Sequence, residues 1–278
     1  MNQTPSPTAH DLLDWDDAFQ NAAYIPGAED FPPRWDKAAA AFRASVATRD
    51  GRSVVDLPYG PGSRQVLDLF EPPTAPRGTL VFVHGGYWHK FDKSTWSHLA
   101  GGALALGFAA ALPSYTLAPE ARLSDIAAEI AWALATIAAR VPGPLHLAGH
   151  SAGGHLATRL IAGDAPLDAA TSARIASVLS ISGLHDLRPL MATQMNEVLR
   201  LDAQEARRES PALQAKRLDV PVTAWVGAGE RPEFLRQTRL LAEAWGARDV
   251  YQPGKHHFDV IEDLASPESP LIRAALSL

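Results

Sequence analysis

The chain has 278 residues, 46% hydrophobic and 20% charged, which suits one large globular domain rather than a disordered chain. Its 25 Lys and Arg against 31 Asp and Glu leave a net charge of -6, so it lacks the basic excess that a phosphate backbone demands and no nucleic-acid partner is expected. Cysteine is absent, which excludes disulfides, thiolate catalysis and Cys-ligated metals.

Residues 1–10 are polar, include Pro5 and Pro7, and are expected to be frayed. They show no basic n-region and no apolar h-region. Nowhere does an apolar run reach the roughly eighteen residues of a membrane span, so a cytoplasmic protein with no membrane partner is expected. Residues 11–50 read as a helical N-terminal extension or cap. Within it, 35–46 is Ala-rich with Phe42 and Val46 four apart, and Pro32-Pro33 sets the helix start.

The texture then changes. Residues 53–57 and 65–70 are short β-type runs separated by Tyr59-Gly60-Pro61-Gly62. From residue 79 strands and helices alternate. Strands are expected at 80–83, 108–112, 145–148, 175–181, 220–226 and 249–251. Helices are expected near 95–106, 124–139, 152–161, 189–201, 232–245 and 258–264. The alternation predicts βαβ units and a mostly parallel sheet with helices on both faces, in one domain spanning 1–278. No repeat, charge run or linker-like stretch interrupts it.

Gly149-His150-Ser151-Ala152-Gly153 fits the nucleophile-elbow pattern, and an apolar strand enters it and a helix leaves it, as that turn requires. Small residues on either side let backbone approach the strained turn closely, and Ser151 falls at a helix N-terminus, where free N–H groups favour developing negative charge. The competing reading is a Gly-rich turn with an idle serine. A phosphate loop is disfavoured because its lysine is missing.

His84-Gly85-Gly86-Tyr87-Trp88 follows the strand at 80–83. A hydrolase needs N–H donors on the oxyanion of its tetrahedral intermediate. Ala152, next to the nucleophile, is one candidate, and Gly86 and Tyr87 are the others. His84 reads as a structural histidine that orients the loop. Tyr87, Trp88 and Trp96 are candidates for stacking on an aryl substrate, with the apolar core as their other destination.

The order of such a triad is Ser, then Asp or Glu, then His. His256 and His257 follow the last predicted strand, and spacing does not choose between them. Glu230 follows the strand at 220–226, with Glu233 and Asp259 as rivals for the acid that orients the histidine. His146, His150 and His155 are spread over a strand, a turn and a helix, so they share no helix face and no metal is expected.

Taken together, several strings resemble the kynurenine formamidase (arylformamidase) family of α/β-hydrolases. They are His84 to Trp88; Ser114-Tyr115 with Leu117-Ala118-Pro119; Gly149 to His155; Ser182-Gly183-Leu184-His185-Asp186-Leu187-Arg188-Pro189-Leu190; Pro232 to Gln237; and His257-Phe258. The stretch from Trp15 to Tyr24 matches more weakly. The resemblance implies an α/β-hydrolase fold with His257 as base and Glu230 as acid, although the family usually carries Asp there. It implies cleavage of the formamide of N-formyl-L-kynurenine by a Ser151–His257–Glu230 triad through an acyl-enzyme, without a cofactor, on a small aryl substrate. For bacterial relatives with this loop the resemblance equally allows general esterases or amidases of small aryl substrates. The alternatives are therefore a small-molecule carboxylesterase and a non-catalytic ligand-binding homologue. A homodimer is compatible with all three.

Overall fold

The computed structural model describes residues 13–47 and 52–278; the polar stretch 1–10 lies outside them. Eight strands form one sheet: β1 Val54–Pro58, β2 Val66–Phe70, β3 Thr79–Val83, β4 Ala109–Pro113, β5 Leu145–His150, β6 Ile175–Ile181, β7 Val222–Gly227 and β8 Arg248–Gln252. Their spatial order is β1-β2-β4-β3-β5-β6-β7-β8. β2 runs antiparallel to both its neighbours, and every pairing from β4 to β8 is parallel. This is the mostly parallel α/β sheet that the alternating pattern predicts.

The helices are α1 Trp15–Ala18, α2 Phe31–Ala47, α3 Gly101–Ala105, α4 Leu123–Arg140, α5 Ala152–Arg159, α6 Ala169–Ser172, α7 Asn196–Leu199, α8 Ala203–Arg208, α9 Pro232–Trp245 and α10 Pro270–Ala275. Successive side chains of a strand point to opposite faces, and the core divides accordingly. Val81, Val83, Leu147, Val178 and Val226 face α4, α5 and α9 through Ile130, Leu134, Leu156 and Phe234. Leu80, Phe82, Ala148, Leu179 and Ile181 face α2 and α10 through Trp35, Leu271 and Ile272. The central strands β3, β5 and β6 are buried along nearly their whole length because both faces are covered. Among the described residues no helix is long and apolar enough to cross a membrane.

Three expectations are corrected. The segment 95–106 is helical, but it splits into a 3-10 helix, Lys93–Ala100, followed by α3. The segment 189–201 is two short pieces, a 3-10 turn Arg188–Ala192 and α7. Thr193 is extended between them, with its hydroxyl turned back onto the Leu190 carbonyl. The last helix lies not at 258–264 but at α10, where Ser269 caps the Ile272 N–H and Pro270 occupies the first helical position. Only a 3-10 turn, Glu262–Ala265, falls near the expected place.

Candidate active site

From β3 the chain crosses to β4 on one side and later returns to β5 on the other. The strand order therefore reverses between β3 and β5, and in open α/β sheets ligand sites lie at the C-terminal edge of such a switch point. Ser151 stands there at the end of β5. Its backbone has φ 55° and ψ -119°, a conformation that costs on the order of 1–3 kcal/mol for a residue with a Cβ. The surroundings enforce it. A Cβ on Gly149 would lie 2.0 Å from the Gly153 carbonyl oxygen, and one on Gly153 would lie 1.9 Å from that of Val83. Neither position admits any other residue without moving backbone. Ser151 immediately precedes α5, so the Ala152 N–H, first of that helix, has no intrahelical acceptor.

The loop after β3 reaches the same place. A Cβ on Gly85 would sit 3.0 Å from Cβ of Ser151. Gly86 has φ 109°, followed by Tyr87 at 52° and Trp88 at 59°. This run of left-handed backbone turns the chain back on itself, and the Gly86 carbonyl accepts from the N–H groups of His89 and Lys90 at 3.0 and 2.9 Å. His84 is buried, stacks on Tyr115 with ring centroids 4.4 Å apart and donates from Nδ1 to the Gly85 carbonyl at 2.7 Å. Burial pushes its imidazole down to about 4, so it stays neutral near neutral pH, as a structural histidine should.

His257 follows β8. Its Nδ1–H donates to Oε2 of Glu230 at 2.6 Å. Oε1 of Glu230 accepts from the Gly227 N–H at 2.8 Å and from the Ser182 hydroxyl at 2.5 Å. His257, Gly227 and Ser182 all donate to it, so both oxygens of this buried carboxylate are hydrogen-bonded. The imidazole lies between two rings, His150 at 4.6 Å and Phe234 at 4.5 Å. His150 precedes Ser151, and its Nε2–H donates to the His257 carbonyl at 2.9 Å, which ties His257 to the turn that carries Ser151. Of the acid candidates, Glu230 meets the histidine. Glu233 binds Arg236 and Gln237 instead, and Asp259 caps the His256 N–H.

A model of the alpha/beta hydrolase family matches residues 80–275, which includes every residue of this constellation. The chain belongs to the alpha/beta hydrolase family. Among proteins similar to this hydrolase, a kynurenine formamidase from Danio rerio is 27% identical over 275 residues, covering 89% of this chain and 93% of its own. A kynurenine formamidase from Drosophila melanogaster is 29% identical over 250 residues, covering 82% of each. A crystal structure from Silicibacter sp. TM1040, assigned only provisionally as a thioesterase, is 51% identical with a TM-score of 0.92, covering 95% of this chain and 99% of that one. The resemblance drawn from the sequence strings therefore extends over most of the hydrolase.

Two aromatic residues expected at the substrate wall are elsewhere. Trp88 is fully buried beside α5, where its indole N–H donates to Nδ1 of His155 at 3.1 Å. Trp96 is buried under α2, its ring centroid 4.7 Å from that of Trp35. Both are core. Tyr87 is half-buried at the edge of a cleft of about 280 Å³ that Phe19, His89, Gln194 and Met195 also line.

The hydrolase's N-terminal segment joins the site, which sequence reasoning did not foresee. The Tyr87 hydroxyl donates to the Phe19 carbonyl at 2.9 Å and accepts from the Asn21 amide at 3.2 Å. Phe19 meets Phe234 edge-on at 6.2 Å, and Arg231 pairs with Asp17 and lies over the Tyr24 ring. With this cover in place Ser151 is 2% exposed and His257 4%. The three histidines weighed for a metal diverge: His146 bonds Ser177, His150 bonds His257, and His155 lies between Trp88 and the Glu209 carbonyl.

Proposed function

We propose that this hydrolase cleaves small aryl formamides, N-formyl-L-kynurenine first among them, by a Ser151–His257–Glu230 triad. The observation that carries the reading is the 2.6 Å contact between His257 Nδ1 and Glu230, on a chain whose relatives are named kynurenine formamidase. Glu230 holds His257 in the tautomer whose Nε2 lone pair accepts the Ser151 proton. Ser151 Oγ attacks the formyl carbon. The N–H groups of Gly86, Tyr87 and Ala152 take the oxyanion. The C–N bond breaks as His257 returns the proton to the leaving aryl amine, and a formyl ester remains on Ser151. Water, deprotonated by the same imidazole, releases formate. No step calls for a cofactor. The near-complete burial of Ser151 favours the smallest acyl group.

A second reading is hydrolysis of small esters or thioesters, favoured by the provisional thioesterase name of the 51% identical structure. Steady-state hydrolysis of N-formyl-L-kynurenine, p-nitrophenyl acetate and an acetyl thioester, with Ser151→Ala as control, separates the two. Preference for the formamide, abolished in the variant, is the expected result. Turnover of the esters alone transfers the function to the second reading, and activity that survives Ser151→Ala removes the nucleophile assignment.

A further inference from the structure

The geometry points to Ser182 as a positioning residue that locks the acid of the triad; the inference rests on the triad reading above. Ser182 follows β6 directly, between the strand that ends at the nucleophile and the strand that leads to Glu230. Its side chain is fully buried, and its hydroxyl donates to Oε1 of Glu230 at 2.5 Å. Its backbone N–H donates to the Trp225 carbonyl at 2.6 Å, and its φ of 51° is one that a residue with a Cβ rarely adopts.

The need for such a group follows from the length of the acid. A glutamate has one more rotatable bond than an aspartate, so fixing one oxygen on His257 leaves the carboxylate free to roll about that contact. Two donors on Oε1 remove the freedom. One of them, the Gly227 N–H, ends β7, the strand that leads to the acid itself. Ser182 follows a different strand, β6. It is therefore the contact that references the Glu230 side chain across to β6 and, through the pairing of β5 with β6 up to His150 and Ile181, to Ser151. A group that only satisfied a buried oxygen would contribute to stability. A positioning group contributes to activation of the nucleophile as well.

The test reads Ser151 activation without depending on the natural substrate. A fluorophosphonate is reacted with wild type, Ser182→Ala, Glu230→Gln and the double variant, and saturation curves separate the maximal labelling rate from the half-saturating concentration. Ser182→Ala should lower the maximal rate about tenfold, since a hydrogen bond to a charged group is lost, and leave half-saturation within about twofold. In the Glu230→Gln background the same substitution should then change the rate less than about twofold, because residues acting as a unit are not additive. If Glu230→Gln is slow but Ser182→Ala changes nothing, or costs the same factor in both backgrounds, the inference is overturned while the triad stands. If Glu230→Gln labels like wild type, or wild type does not label at all, the triad reading itself falls. Should Ser182→Ala fail to fold, Ser182→Gly removes the same hydroxyl and relaxes the positive φ.

Discussion

Lowering the pH from 7 to 5 should cost this protein several kcal/mol of stability, and buried imidazoles are the reason. Burial pushes His84, His146 and His185 down to about 4 and His155 to about 3. In the unfolded chain each returns to about 6.5. Between those values the unfolded state binds more protons than the folded one, so stability rises with pH through the window and is lost as pH falls. At 1.36 kcal/mol per unit, each such ring costs about 2 kcal/mol at pH 5, and four together approach the whole 5–15 kcal/mol of an ordinary domain. The hydrogen bonds say why the rings resist protonation. His155 Nδ1 must keep a lone pair for the Trp88 indole, and its Nε2–H already serves the Glu209 carbonyl. His185 gives Nδ1–H to the Gln237 carbonyl and faces the Ser180 hydroxyl with Nε2. Aspartates held below the usual range, such as Asp186 with Arg188 and Asp202 with backbone N–H groups, lose their contribution only near pH 4 and below, so from pH 7 to 5 the histidines supply the loss, opposed by Glu209 and Glu262, whose carboxyls burial pushes up. Guanidinium unfolding at both pH values, at unchanged slope, measures the difference, and His146→Asn should reduce it by about 2 kcal/mol. Equal midpoints at pH 7 and pH 5 would refute the assignment of these rings as neutral.

Two further substitutions probe the elbow and the acid. Gly153→Ala puts a methyl group 1.9 Å from the Val83 carbonyl oxygen, so β3 and the elbow must separate; a loss above about 4 kcal/mol is expected, and wild-type stability in denaturant would contradict the close approach. Glu230→Asp should slow turnover at least about tenfold at unchanged KM, although the resembling family usually carries aspartate there, because the carboxylate withdraws by about 1.5 Å, one C–C bond, from both His257 and Ser182; an undiminished kcat would mean that the loop follows the shorter acid.

The parts of the fold that were legible in the sequence are those set by local chemistry. The run 175–181 is a strand over those very residues, because a β-rich apolar stretch buried on both faces needs no distant partner to be recognised. Helix α9 runs from Pro232 to Trp245 as expected, with Pro232 at its first position and Gly246 in the left-handed conformation after its end. What escaped depends on contacts far apart in the chain. Nothing near Phe19 announces Phe234, and nothing near Asn21 announces Tyr87. Trp88 stands beside the oxyanion-loop glycines in sequence, yet the left-handed backbone at Tyr87 and Trp88 sends its side chain inward to His155 while Tyr87 stays at the cleft. Ser182 had a signal that went unused: a polar residue immediately after a central parallel strand occupies the same edge as Ser151.

That edge also explains where the molecule concentrates its backbone strain. Eight non-glycine residues have positive φ among those described: Asp56, Tyr87, Trp88, Phe91, Ser151, Ser182, Arg200 and Ser277. Five of them follow the C-terminal ends of β3, β5 and β6, where the candidate oxyanion loop, the nucleophile and the positioning serine lie. Such conformations persist only where surrounding structure over-determines them. Here the surroundings are three adjacent parallel strands buried on both faces, with Gly153 of the elbow pressed against the Val83 carbonyl at the end of β3 and Gly149 against Gly153. The sheet thus holds Ser151 and the candidate donors in place before any substrate arrives, which on the proposed mechanism is the condition for electrostatic stabilisation without reorganisation during the reaction. The candidate acid and base, Glu230 and His257, come from the loops after the more peripheral β7 and β8, outside this strained core, and hydrogen bonds reference them to it. His150 ties the candidate base and Ser182 the candidate acid, so side chains join the two sides of the site in addition to the backbone pairing of β6 with β7.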